Sequence, residues 1–186
     1  MYKLCKTEQS AKRQRELELG LLEAMQNQLY EEISISDLCD RMGIPRKSFY
    51  RYFSNKDGAL LALLDHTIME YEQTQDSAHG VGSVGDLEQF FRFWNERRAL
   101  LEALMRSRLS GMLVERATQH AIQERMMPGY LLYKDAQTQQ MALTFAICGL
   151  LSMVMQWQQD DYRESPEQMA HIAAMMLTKP LVSPRN

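Results

Sequence analysis

Between Arg41 and Lys56 the sequence carries five basic side chains (Arg41, Arg46, Lys47, Arg51 and Lys56) and no acidic one, in a chain whose net charge is −3. Ser48, Tyr50 and Tyr52 are interleaved with them. Guanidinium, ammonium, hydroxyl and phenol groups are the ones that reach phosphate oxygens and base edges. A polyanion needs positive charge only where its phosphates touch, so an acidic total does not exclude nucleic acid. Read as a helix over Arg46–Phe53, the segment puts Phe49 and Phe53, four apart, on an inner face. Arg46, Lys47, Ser48, Arg51 and Tyr52 are then left facing outward. Arg46 and Lys47 stand at the N-terminal end of that helix, the end that enters a major groove. An arginine there can pair bidentately with guanine, which discriminates by about 1–3 kcal/mol.

Short signals flank this segment and hold it. Helical spacing of Leu17, Leu21, Leu22, Met25 and Leu29 predicts a first helix from about Thr7 to Leu29. Its start is basic (Lys12, Arg13, Arg15), against the helix dipole; a nearby phosphate or a solvated charged face would each account for that. Ser34 followed by Asp37 reads as the start of a second helix, with each side chain reaching the other's backbone N–H. Leu38, Cys39 and Met42 form its inner face, and Gly43 is expected to end it in the left-handed conformation. Pro45 then suits the opening of the third helix. Ser54-Asn55-Lys56-Asp57 reads as a serine cap before a long fourth helix carrying Leu60, Leu61, Leu64, Ile68 and Tyr71. Two helices joined by a short glycine turn, the second short and basic, form the helix-turn-helix pattern. Lys56 in the first turn of a helix is disfavoured by the dipole, and either a docked phosphate or a tolerated surface charge would explain it.

The stretch Ile33 to Asp57 closely resembles the DNA-binding domain of TetR-family (TetR/AcrR-like) transcriptional regulators. The likeness rests on two caps, the glycine turn, and Tyr50, Tyr52, Phe53, Ser54, Lys56 and Asp57 at fixed offsets. It covers roughly the first 65 residues; beyond them only length and helix pattern agree. The resemblance implies phosphate contacts from Ser34, Tyr52 and Lys56. It also implies base or backbone contacts from Ser36, Arg46, Lys47, Ser48, Tyr50 and Arg51. Family members often have Gly before the aromatic that follows the first helix, where this chain has Leu29, which leaves the end of that helix open.

Beyond a glycine-containing loop at 77–85, further helices are expected over 86–95, 97–107, 110–127, 135–160 and 165–178. Pro128-Gly129 breaks the third of these from the fourth, and Ser165-Pro166-Glu167-Gln168 starts the last. The predicted architecture is all-α, about nine helices. A three-helix helix-turn-helix domain (1–57) is linked by a fourth helix (55–75) to a helical ligand-binding and dimerisation domain (76–186). The resemblance implies dimerisation through the last two helices, for which Ala142, Ala146, Gly149, Met153, Ala173 and Met176 are candidates; packing within one subunit is the other reading of that small-residue stripe. Candidates for a ligand pocket are Phe91, Trp94, Met105, Met112, Tyr130, Phe145 and Trp157, with Phe90, Phe93 and Tyr133 behind them. Fourteen methionines suit adaptable apolar surfaces, although the same residues also build ordinary cores.

The remaining composition narrows the function. Three cysteines and four histidines are scattered without ligand-pair spacing, so no metal site or cofactor is expected. No Gly-rich phosphate loop, nucleophile elbow or HExxH is present, and an enzyme is not expected. The most apolar stretch, Met141–Trp157, is interrupted by Thr144, Gly149, Ser152 and Gln156, and the N-terminus lacks a signal-peptide core; a cytoplasmic protein without membrane partners is expected. The expected function is that of a homodimeric repressor on a near-palindromic double-stranded operator, released by a small apolar or aromatic effector. The alternative is a helical co-activator that docks on another regulator and reads little DNA itself.

Overall fold

The computed structural model describes Tyr2, Cys5 and residues 7–74, 83–124 and 133–178. Among these residues there are nine α-helices and one 3-10 turn; the sole extended pairing is an isolated bridge between Tyr2 and Phe53. In chain order the elements are α1 (Glu8–Asn27), the 3-10 turn (Tyr30–Glu32), α2 (Ile35–Arg41), α3 (Arg46–Tyr50) and α4 (Lys56–Thr74). They continue with α5 (Val84–Asn95), α6 (Arg98–Arg106), α7 (Ser110–Glu124), α8 (Ala136–Gln159) and α9 (Pro166–Thr178). Pro128-Gly129, Tyr130 and most of the 77–85 loop lie outside the described residues.

Thr7 caps α1 by accepting from the Ser10 N–H, and Leu17, Leu21 and Met25 are buried along one side. The helix stops at Asn27, two residues before the expected end. Gln28 turns extended, and the Glu32 carboxylate accepts the Leu29 N–H at 3.3 Å, satisfying a donor that another helical turn would have used. Leu29 therefore leaves the apolar stripe and stands 41% exposed. Gly20 permits the close seating of α2, because a Cβ there would come within 2.5 Å of the Met42 sulfur.

The basic start of α1 is partly neutralised by the protein's own carboxylates. Arg13 pairs with Glu16, while Arg15 pairs with the fully buried Glu18 at 3.0 Å and with Glu70 of α4 at 2.5 Å. Glu70 also receives Arg97, the residue preceding α6, at 3.2 Å. The far end of α6 is tied to the same N-terminal unit, since Arg106 donates to the Met25 carbonyl and Ser107 Oγ accepts the Tyr30 N–H at 3.1 Å. α6 also packs on α5, α7 and α8. It is thus a strut between the first helices and the rest of the molecule.

In the C-terminal part α9 lies along α5, the most extensive helix pair, and α7 lies along α8. Ser83 and Asp86 form a reciprocal box at the start of α5, and Ser165 and Gln168 another at the start of α9. Phe91, Trp94 and Trp157 are core residues, with Phe91 and Trp157 meeting edge to face at 5.8 Å. α8 is long and apolar enough to cross a membrane by length and composition. Its Leu143, Leu150, Leu151, Val154 and Trp157 nevertheless build the core of a globular helical domain.

Candidate nucleic-acid interface

Three local devices hold α3. The Ser34 Oγ accepts the Asp37 N–H at 3.0 Å to start α2. Asp37 does not reciprocate on the backbone as expected; its carboxylate accepts the Ser34 hydroxyl at 2.7 Å instead. Gly43 ends α2 at φ +63, a left-handed conformation that costs a side-chain-bearing residue about 1–2 kcal/mol. Pro45 (φ −66, ψ 140) then delivers the chain into α3, and its carbonyl accepts the Ser48 N–H at 2.8 Å.

α3 is regular only from Arg46 to Tyr50, but Arg51, Tyr52 and Phe53 still donate back to Lys47 and Phe49. Phe49 and Phe53 are buried, with ring centroids 5.2 Å apart. Tyr52 was expected to face outward and does not: it is 7% exposed and packs against Phe53 at 6.4 Å. The residues following Tyr50 tighten into a turn, so the helical spacing that placed Tyr52 outside no longer applies.

The outer surface is what the basic sequence promised. Arg46, Lys47 and Arg51 are exposed, Ser48 is half-buried, and Tyr50 presents 45% of its area. Ser34 is exposed and Ser36 half-buried at the start of α2. Arg13, Arg15, Arg92, Arg97 and Arg116 each have a carboxylate partner, whereas Arg41, Arg46, Lys47 and Arg51 have none among the described residues. The result is a patch of unneutralised cations over a hydrophobic back.

Lys56 sits differently. Its ammonium donates to the carbonyls of Tyr30, Glu31 (3.5 Å) and Ile33 (2.8 Å) and lies 4.2 Å above the Tyr30 ring. Burial pushes its pKa down, opposed by the charges of Asp57 and Glu31. The cap of α4 is Asn55 rather than Ser54, since Asn55 Oδ1 accepts the Gly58 N–H at 2.9 Å. The sequence placed Tyr30 only as the aromatic that follows the first helix and gave it no role, because its partners Lys56 and Asp57 meet it only in the fold. Its hydroxyl donates to Asp57 at 2.7 Å, and burial followed by that bond raises its pKa.

The other candidate residues separate into three groups. Phe91, Trp94 and Trp157 are buried, and Met105 and Met112 are half-buried. Phe145 is 64% exposed on α8, whose Leu143, Leu150, Leu151, Val154 and Trp157 are the buried ones. An open cleft of about 410 Å³ lies among Arg15, Leu19, Leu22, Leu63, Glu70, Arg97 and Leu100, and none of the expected ligand residues lines it. Of the interface candidates, Gly149 and Met176 are exposed and Ala142, Ala146 and Met153 half-buried. Ala173 is completely buried within the chain; it sits on the inner side of α9, the helix that lies along α5, and offers no surface to a second copy.

Among curated proteins no sequence matches this chain. Solved structures do. A TetR-family transcriptional regulator from Streptomyces coelicolor superposes with a TM-score of 0.62 at 20% identity, over 90% of this chain and 79% of its own. The fatty acid degradation regulator FadR from Bacillus halodurans gives 0.65 at 12% identity, over 96% and 98%. The dihydroxyacetone kinase operon activator DhaS gives 0.59 at 16% identity, over 89% and 93%. At these identities the likeness is one of fold. Family models are more specific: residues 22–63 match the bacterial regulatory proteins of the tetR family, and residues 86–179 match a transcriptional regulator C-terminal region. The first match contains α2, the Gly43 turn, α3 and the start of α4, the second runs from α5 through α9, and the chain belongs to the TetR family of DNA-binding transcriptional regulators.

Proposed function

We propose that the chain acts in the cytoplasm as a homodimeric, sequence-selective repressor that a small apolar or aromatic effector releases from its operator. The observation that carries this reading is the group of exposed, unpaired cations on and beside α3, backed by Phe49 and Phe53. Arg46, Lys47, Ser48 and Tyr50 are the groups that read bases or the backbone beside them. Ser34, Ser36 and Arg51 hold phosphates. Residues 1–57 form the reading head, 76–186 the body, and α4 the link. Two heads on one dimer must fall on successive major-groove faces about 34–36 Å apart. An effector that favours a differently spaced state weakens binding by its difference in affinity for the two states.

The dimer contact in this reading is the outward side of α8 and the end of α9. Met141 and Phe145, each 64% exposed, lie one turn apart, with Met175, Met176 and Leu177 exposed on α9. Large apolar side chains exposed in this way favour a second copy over water. Selection of bound duplexes from a random pool with the full chain tests the reading. A near-palindromic site is expected, with affinity falling steeply as salt rises. An unenriched pool, or affinity indifferent to salt, would sink it.

A further inference from the structure

Ahead of α1 the chain is fastened at two points. Cys5 Sγ donates at 2.8 Å to Oε1 of Gln14, a buried residue of α1. Tyr2 pairs through its backbone with Phe53 in the isolated antiparallel bridge, and its hydroxyl donates to Oδ2 of Asp65 on α4 at 2.6 Å. Its ring also meets His66 edge to face at 6.2 Å. Tyr2 therefore touches the chain on both sides of the break between α3 and α4.

That break is the joint about which the reading helix can tilt. α3 loses its regular form after Tyr50, and α4 begins at Lys56. Phe53 closes the α3 side of the joint: its N–H donates to the Phe49 carbonyl at 3.1 Å, and its buried ring lies 5.2 Å from that of Phe49. Asp65 stands about two and a half turns into α4. A brace fixed at Phe53 and again at Asp65 resists rotation about Ser54 and Asn55 through a longer lever than the covalent link alone. The anchor on α4 is itself rigid. Both oxygens of Asp65 accept from Arg116 of α7, at 2.6 Å each, so the carboxylate is clamped bidentately while its Oδ2 receives the Tyr2 hydroxyl.

Resting on the DNA-binding reading above, we propose that Tyr2 is a positioning residue of the reading head, which braces the end of α3 at Phe53 to the Arg116-clamped carboxylate of Asp65 on α4. The brace acts through Phe53 and Phe49 on the pose of α3. Its hydroxyl is neutral, so losing it removes no charge from the surface that meets phosphate.

The test uses the full chain as wild type, as Tyr2→Phe, which keeps the ring and the backbone pairing and loses only the hydroxyl, and as Lys47→Ala, a phosphate-contact control. Affinity for the selected duplex is measured across a salt series, and amide exchange is followed in the free proteins. Tyr2→Phe should bind roughly three- to tenfold more weakly, as when part of a hydrogen bond to a charged group is lost, with the wild-type salt slope. Lys47→Ala should lose about one unit of slope. In free Tyr2→Phe the Tyr52 and Phe53 amides should speed up by a larger factor than those of Leu150 and Val154 in α8, whereas a general loss of stability speeds all of them alike. In the free wild type the backbone protons of Tyr2 and Phe53 should give a nuclear Overhauser contact, a readout that needs no variant to fold. Tyr2→Phe binding as tightly as wild type, a slope lowered by about one unit, a uniform change in exchange, or no Tyr2–Phe53 contact would each overturn the proposal. If the wild type shows no salt-dependent DNA binding, the regulator reading fails instead. The exchange pattern and the Overhauser contact then still decide the brace, and the absence of either overturns it.

Discussion

Lys47 and Arg51 stand one helical turn apart on the exposed side of α3, and neither has a carboxylate partner among the described residues. Like charges at that spacing destabilise a helix by about 0.2–0.5 kcal/mol. The free protein carries that cost, and a phosphate between the two side chains removes it. Stability and binding should therefore move in opposite directions on mutation. Lys47→Ala and Arg51→Ala are each expected to leave thermal stability unchanged or slightly raised, and to lower the slope of log affinity against log salt by about one unit. Arg46→Ala should instead relax base preference, at about 1–3 kcal/mol at one position of the site. Equilibrium titration at several salt concentrations on matched and singly substituted duplexes separates the two behaviours. A uniform loss for all three variants, with unaltered slope, would argue that α3 has been disordered and not that contacts were removed.

At the level of elements, helix ends decide more than helix middles. α4 starts on Asn55, whose side chain accepts the Gly58 N–H, while Ser54 is exposed and caps nothing. Loss of an N-cap costs about 1 kcal/mol, so Asn55→Ala should lower denaturant stability by about that amount and Ser54→Ala should leave it unchanged. Equal losses would show that the cap is shared. The inner faces of α1, α2 and α3 were legible beforehand because Leu17, Leu21, Leu38 and Phe49 repeat at the helical period, and Gly43 and Ser165 announced their caps by type. Two things were not legible. Leu29 kept the apolar period but left the helix, because the nearby Glu32 carboxylate, three residues on, captured its N–H in a turn that apolar periodicity does not register. Ala173 fitted a small-residue interface stripe, yet small residues serve equally to let α9 approach α5, and only the folded packing distinguishes the two uses. The same ambiguity makes the outward side of α8 testable. Phe145→Glu puts a charge at a position 64% exposed in the single chain, so it should leave the monomer folded. Sedimentation should show the dimer dissociating, and a dimer of unchanged strength would place the contact elsewhere.

For the whole molecule, the ties that seat the N-terminal segments on α4, and through Asp65 on α7, include phenols that must keep their protons. Tyr2 donates to Asp65 at 2.6 Å, and the same carboxylate receives Arg116 of α7 through two bonds of 2.6 Å. Tyr30 donates to Asp57 at 2.7 Å. Burial, then the bonded carboxylate, raises both pKa values, while Tyr162, beside α6, is pushed up to about 12 by burial and then by the Glu102 charge. A phenol whose folded pKa lies above its unfolded value, about 10, stabilises the fold fully below that unfolded value. The contribution is lost as pH rises through the folded one. Stability against denaturant should therefore hold steady on this account up to about pH 9.5 and fall progressively above pH 10. The ultraviolet signal of ionised tyrosine should show part of the eight phenols titrating late, together with loss of helical signal. Tyr2→Phe should lower stability at neutral pH and flatten the alkaline decline, because the proton it no longer carries cannot be lost. If all eight phenols ionised in one step near pH 10 with the helices intact, Tyr2 and Tyr30 would not be holding the N-terminal segments to α4.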